Sequence, residues 1–252
     1  MRIISTRTAR KLSQLAGVNG VFLGAENGKK GKKVSFVTAT VKNPVGSLFE
    51  YDNYSFGQQP ALAPDWSVHR IVREGSLGVL FKLYYDPEAP WKKQEKLQAL
   101  IERVGLEVEA AQLPFFLQLV SYDEQSTNKR SLAFAKLMPH KVLLGIKEFI
   151  KPQYRVDVLI VEPPFNQASL AQFNPRQAQK LLDQLSAATK LPYLLAGSDL
   201  NQQEMGQVMA CVEQAKIDYN GVYCQNDQNP DQLAQYLQAA QPWEERLIVS
   251  DR

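Results

Sequence analysis

The sequence predicts an α/β fold assembled from parallel strand–helix units, on three observations. Short apolar runs alternate with segments of helical periodicity from residue 66 onward. The runs carry apolar residues at consecutive positions, the mark of strands buried on both faces. About 15–30 residues of helical pattern separate one run from the next, enough for a parallel crossover. Units of this kind close into a barrel or spread into an open sheet. With 252 residues, 44% hydrophobic and 22% charged, the chain suits one globular domain, or two at most.

Each regular element has its own signal. Residues 66–75 (WSVHRIVREG) are helical in period and end on Gly75, and residues 78–86 (GVLFKLYYD) form a strand. Leu97, Leu100, Ile101 and Val104 recur at helical spacing over 91–105, with Gly105 as the stop. Residues 114–123 (PFFLQLVSYD) are a strand and 131–150 a long helix. A strand at 156–161, a helix at 175–189 opened by Asn174-Pro175, and a strand at 193–196 follow. A helix over 200–215, a strand at 221–224 and a helix over 230–240 complete the series.

Residues 1–65 do not fit the pattern. NGVFLG (19–24) and VSFVTATV (34–41) both read as strands, yet only about nine residues separate them, too few for a parallel crossover. The second of these is expected to pair antiparallel with residues 47–51 across a turn at Asn43-Pro44. The domain expected over 1–252 is therefore irregular over 1–65 and regular over 66–252.

Bulk properties exclude several functions. The 29 basic and 26 acidic residues nearly balance and are scattered, so nucleic acid is not an expected partner. The dense cluster Lys29-Lys30-Gly31-Lys32-Lys33 reads as a solvated loop ahead of an anion-binding one. No apolar run reaches membrane-spanning length and the N-terminus lacks a signal-like core, so a cytoplasmic protein without membrane contact is expected. Cys211 and Cys224 read as reduced and packed. His69 and His140 stand far apart, with no carboxylate or cysteine at ligand spacing. No metal and no cofactor are expected.

The stretch RVDVLIVEPPFN (155–166) focuses attention on a site. The run ends at Glu162-Pro163-Pro164, and a carboxylate ending a buried strand is where barrel enzymes place catalytic groups. Two residues earlier stands Ile160, with no functional group.

Seven stretches together resemble the tagatose bisphosphate aldolase family: LYYD (83–86), IERVG (101–105), LPFFLQLVSYDE (113–124), AKLMPHKV (135–142), VDVLIVEPPFN (156–166), AATKLPYLL (187–195) and NGV-x-C (220–224). GVNGVFLGAENG (17–28) is a fainter echo of the family's first strand, and the resemblance implies that about forty residues of the family's pattern are missing after it. The resemblance implies a (β/α)8 TIM-barrel-like fold, shortened and irregular in its N-terminal quarter. It also implies a class I aldolase ancestry, in which a lysine amine forms a Schiff base with the substrate carbonyl.

By that resemblance, Ile160 occupies the position of the Schiff-base lysine, Leu80 that of a second lysine, and Gln118 that of a glutamate. Ala25-Glu26-Asn27 stands for the family's Asp-Gln-Arg. Of the phosphate-binding positions, Gly197 and Ser198 remain, but Asp199 follows them and Gln225-Asn226 replaces Gly-Arg. An aspartate at a helix start caps the helix and repels a dianion.

Side-chain alternation gives Ile160 and Glu162 one face, and Leu80 and Lys82 another. Lys82, Gln118 and Glu162 are thus expected to converge at the barrel mouth. One reading makes Lys82 a relocated nucleophile with Glu162 as acid/base. The other makes them an ion pair filling a vacated pocket. Tyr84, Tyr85, Asp86, Tyr122 and Asp123 lie near the same mouth, either binding a polar ligand or satisfying each other. The leading functional expectation is a sugar- or partner-binding pseudoenzyme of carbohydrate metabolism. The alternatives are an active aldolase or lyase using Lys82 on a sugar or sugar phosphate, and a scaffold subunit of an intact aldolase relative. Gln118, Gly197, Ser198 and Gln225 are the expected substrate-binding residues, and a homo-oligomer is a further possible assembly.

Overall fold

The computed structural model describes residues 2–5, 20–28, 31–38, 46–126, 128–166, 168, 174–196, 202–217, 219–224 and 247–250. Its strands are β1 (Arg2–Ser5), β2 (Gly20–Gly28), β3 (Gly31–Thr38), β4 (Gly46–Glu50), β5 (Gly78–Tyr85), β6 (Phe115–Ser121), β7 (Val158–Val161), β8 (Tyr193–Ala196), β9 (Gly221–Cys224) and β10 (Leu247–Ser250). Its helices are α1 (Val68–Arg73), α2 (Trp91–Ala110), α3 (Leu132–Phe149), α4 (Pro175–Ala188) and α5 (Gln202–Ala215), with a 3₁₀ turn at Pro152–Tyr154.

Strands β2 to β9 close into a barrel in chain order. From β4 to β9 every pair is parallel, and β9 returns to pair parallel with β2. Only β3 runs the other way, antiparallel to both β2 and β4. The antiparallel pairing expected with residues 47–51 is present, as Ser35 opposite Ser47 and Lys33 opposite Phe49. The reversal solves the short-connection problem, because a strand entered by a hairpin needs no crossover helix. It also corrects one expectation: Gly31, Lys32 and Lys33 lie in β3 rather than in a loop, while Lys29 and Lys30 fall outside the described residues. A bulge between Leu23 and Glu26 breaks the β2–β3 ladder. The small β1–β10 parallel pair was not foreseen, and the helix expected over 230–240 lies outside the described residues.

The helices start where local chemistry places them. Ser67 Oγ accepts from Arg70 N–H, Ser131 Oγ from Phe134 N–H, and Asn174 Oδ1 from Arg176 N–H, each satisfying an otherwise orphaned first-turn donor. Alternation along each strand sorts the core into two. Val79, Phe81, Leu83, Phe115, Leu117, Leu159 and Val161 pack outward against Ile101, Val104, Phe134 and Ile146 of α2 and α3. Leu80, Phe116, Val158, Ile160 and Leu194, fully buried, point into the barrel.

Gly105 does not stop α2, which continues to Ala110. Its role is close approach: a Cβ there would stand 2.1 Å from the carbonyl oxygen of Tyr154 in the 3₁₀ turn. Gly105→Ala should therefore lower stability by roughly 1–3 kcal/mol through overpacking. At Gly145 of α3 an added methyl would meet Tyr85 and Leu119 at 3.6 and 3.7 Å, ordinary contact distances. Gly145→Ala should leave stability unchanged or raise it by up to about 1 kcal/mol of helix propensity. Thermal unfolding of the two variants compares them directly, and equal losses would contradict this account of Gly105.

Candidate functional site

The inward side chains stack in layers towards the C-terminal ends of the strands. Lys82, Gln118, Ile160 and Leu194 stand opposite one another in register across β5, β6, β7 and β8. Lys82 and Gln118 are thus brought side by side, as the alternation predicted, with Ile160 completing the level. Glu162 follows one inward step beyond Ile160.

On the other side of Lys82, the chain beyond β4 builds a wall that the sequence reading missed. Tyr51 N–H still donates to Leu80 O at 2.8 Å, but the backbone then leaves β5. Side chains continue the ladder. Asp52 Oδ1 accepts from Lys82 N–H at 2.7 Å, and Tyr54 Oη donates to Lys82 O at 2.9 Å while accepting from Tyr84 N–H at 3.1 Å. Residues 51–53 meanwhile pair with 61–63, through Asn53 N–H to Ala61 O and Ala63 N–H to Tyr51 O, both at 2.8 Å. The segment that follows β4 is thereby fixed against the mouth.

This wall decides the state of Lys82. Its Nζ lies 3.3 Å from Glu50 Oε1, with the lysine side chain 24% and the glutamate 6% exposed. Burial alone would push the amine's pKa down, but the Asp52 and Glu50 carboxylates outweigh it and hold the pKa above the ordinary lysine value. At 3.3 Å and an effective dielectric near 20, the attraction to Glu50 is roughly 5 kcal/mol before desolvation is subtracted. An amine held in its ammonium form has no lone pair for a carbonyl.

Glu162 has a different partner. Its Oε1 lies 2.6 Å from Lys129 Nζ and its Oε2 accepts from Ser121 N–H at 2.7 Å. Asn166 donates to the carbonyls of Lys129 and Ser131, so the β6–α3 and β7–α4 connections are tied together. The Lys82–Glu162 ion pair expected from sequence is therefore replaced by two pairs, Lys82–Glu50 and Glu162–Lys129. Both new partners come from outside the two strands: Glu50 from the neighbouring β4, Lys129 from a loop with no periodic signal.

A second cluster sits behind the mouth. Lys141, 1% exposed on α3, reaches Asp86 at 2.5 Å, Asp123 at 2.9 Å and Glu88 at 2.9 Å. The mouth carboxylates Asp86 and Asp123 thus meet on one ammonium. Tyr85 faces outward, stacking edge-on with Phe149 at 4.9 Å. The signal for Lys141 was present in the sequence: it shares the apolar stripe of Phe134, Met138 and Gly145, where a lysine needs a buried partner. Glu50 carried a similar signal, being charged at an inward position of an apolar strand.

Gly197, Ser198, Asp199, Gln225 and Asn226 lie outside the described residues. Among the described residues no group of three or more His, Cys, Asp or Glu could hold a metal ion, and no helix is long and apolar enough to cross a membrane. Cys211 is a free, half-buried thiol whose pKa burial pushes up.

Asp123 is held below its ordinary carboxylate pKa, first by the Lys141 hydrogen bond, and Lys141 is held above its ordinary value. The carboxylate's contribution is present above a pKa of about 3.9 and fades as pH falls through the lowered folded value. The lysine's is present below about 10.4 and fades as pH rises through the raised one. Lys141→Met leaves the acids without their cation and should cost about 3–5 kcal/mol at pH 7. That loss should shrink as the pH is lowered and the stranded carboxyls take up protons. Denaturant unfolding of both proteins at pH 7 and pH 4 reads the difference; a pH-independent loss would refute the electrostatic origin.

Comparison with known proteins agrees with this architecture. The family model for DeoC/LacD aldolases matches residues 29–197, more than half of the chain. Tagatose 1,6-diphosphate aldolase 2 of Enterococcus faecalis is 38% identical over 182 residues, covering 69% of this chain and 55% of that protein. Tagatose 1,6-diphosphate aldolase 1 of Streptococcus mutans is 33% identical over 181 residues, covering 69% and 56%. This chain thus spans about half the length of the curated relatives it matches. Among solved structures, an archaeal fructose 1,6-bisphosphate aldolase superposes with a TM-score of 0.52 at 16% identity, covering 91% of this chain and 79% of that one, a likeness of fold. On the family match, the chain belongs to the DeoC/LacD aldolases.

Proposed function

We propose that this chain is an aldolase-family protein that has lost Schiff-base chemistry and serves as a cytoplasmic binding protein, for a sugar or for a protein partner such as an intact aldolase relative. One observation carries the reading. The lumen position that the resemblance assigns to the Schiff-base lysine holds Ile160, and the lysine on the same level, Lys82, is ion-paired with Glu50. A Schiff base forms from a neutral amine, and both Asp52 and Glu50 favour the charged one. Gln118 cannot exchange a proton near neutral pH, and Glu162 is bound to Lys129 and Ser121.

A second reading, a lyase with Lys82 as nucleophile and Glu162 as acid/base, is favoured by one feature. Lys82 stands on the lumen wall beside Gln118 and is 24% exposed, so a carbonyl compound can reach it.

Borohydride trapping separates the two. The folded protein is incubated with dihydroxyacetone phosphate and a panel of ketoses and ketose phosphates, reduced, and weighed intact. The binding-protein reading expects no covalent adduct with any of them. A mass increase that disappears in Lys82→Ala would establish Schiff-base chemistry and overturn it.

A further inference from the structure

A cleft of about 1020 Å³ opens on the outside of the barrel, between α2 and the segment that follows β4. Lys82, Gln118 and Glu162 do not line it, and its two walls have different chemistry. One wall is aromatic. Phe56 is 45% exposed, and its ring meets Tyr84 at 5.5 Å and Tyr122 at 5.4 Å, both edge-on. The other wall is a cationic face of α2, made by Lys92, Lys96 and Arg103.

The charges in this cleft do not cancel. Glu124 is taken by Lys93 and Asp123 by Lys141. Among the described residues Lys92, Lys96 and Arg103 make no ion pair, and the first turn of α2 holds no acidic residue. Three like charges on one helix face repel each other, so an anion between them is favourable. Helix geometry sets Lys92 and Lys96 about 6 Å apart along the axis, and Lys96 and Arg103 about 10 Å apart. That span suits a chain of more than one phosphate. It is short for nucleic acid, whose backbone calls for a larger basic footprint.

The exposed aromatic wall asks for a planar apolar group. Phe56 would otherwise lie in water, and the segment bearing it is pinned by the Asp52 and Tyr54 hydrogen bonds to β5, so the wall is formed before any ligand arrives. The volume is at the upper end of the range for small-molecule sites. We propose that this cleft binds a nucleoside phosphate, its base against the exposed Phe56 ring and its phosphates along Lys92, Lys96 and Arg103. The proposal does not rest on the chemistry of Lys82, Gln118 or Glu162, none of which lines the cleft. The lumen wall sets three carboxylates, Glu50, Asp52 and Glu162, against two ammoniums, Lys82 and Lys129, so phosphate is directed to the cleft beside α2.

Isothermal titration at low ionic strength, with ADP as the probe, tests the assignment. ADP should bind with a Kd on the order of 100 µM. Adenosine alone and pyrophosphate alone should each bind at least about tenfold more weakly, since each fills one wall only. Phe56→Ala, and separately Lys96→Ala with Arg103→Ala, should each weaken ADP about tenfold or more in proteins shown by circular dichroism to be folded. Should a variant unfold, the wild-type affinity still has to fall steeply with added salt. Absence of ADP binding, binding unaffected by salt or by the folded variants, or pyrophosphate binding as tightly as ADP would overturn the proposal. A Schiff-base adduct in the lumen would leave it standing, so the two assignments fail separately.

Discussion

Ring closure is the constraint on which the structure depends. An open edge on a strand of this apolarity would template pairing with another chain, and a barrel removes the edge. Here the ring must close although only two residues separate β2 from β3, too few for a parallel crossover. Reversing β3 meets the constraint, because β2 and β4 still run parallel to each other and the remaining strands keep a common direction. The register that aligns Lys82, Gln118 and Ile160 follows from the parallel pairs β5 to β7 within that closed ring.

The departure of β4 from the ladder shapes everything at the mouth. Where the backbone leaves, Asp52 and Tyr54 replace it with side-chain hydrogen bonds to β5. Those substitutions put a carboxylate beside Lys82, which keeps the amine charged, and they carry Phe56 out towards α2. One local irregularity thus sets the chemistry of both the lumen and the outer cleft. Lys141 acts in a comparable way behind the mouth, gathering the ends of β5 and β6 onto α3 through Asp86 and Asp123.

Much of the fold was legible in the sequence because burial writes a period into it. Strands buried on both faces and helices with an apolar stripe marked β5 to β9 and α1 to α5 to within about two residues at each end, except the end of α2, which runs five residues further. Gly105 was misread as a stop, since glycine marks both helix ends and close contacts, and only the position of Tyr154 tells them apart. The site was partly legible. Alternation put Lys82 and Gln118 on one wall, and the same rule would have found Glu50 on β4. It could not supply Lys129, which sits on a loop, nor the swap of partners that separates Lys82 from Glu162. Parity fixes which way a side chain points, and distance decides whom it meets.

The reversed strand also changes the order in which the barrel's contacts become affordable. A parallel pair joined by a crossover must close a loop of a dozen or more residues before any strand–strand contact is rewarded. The β2–β3–β4 meander closes through short hairpins, so its pairings are local in sequence. The seam between β2 and β9 is the opposite extreme, joining Gly20 to Gly221 across nearly the whole chain. The shortened end of the molecule therefore doubles as its low-contact-order end, a ready edge onto which the slower parallel strands can add.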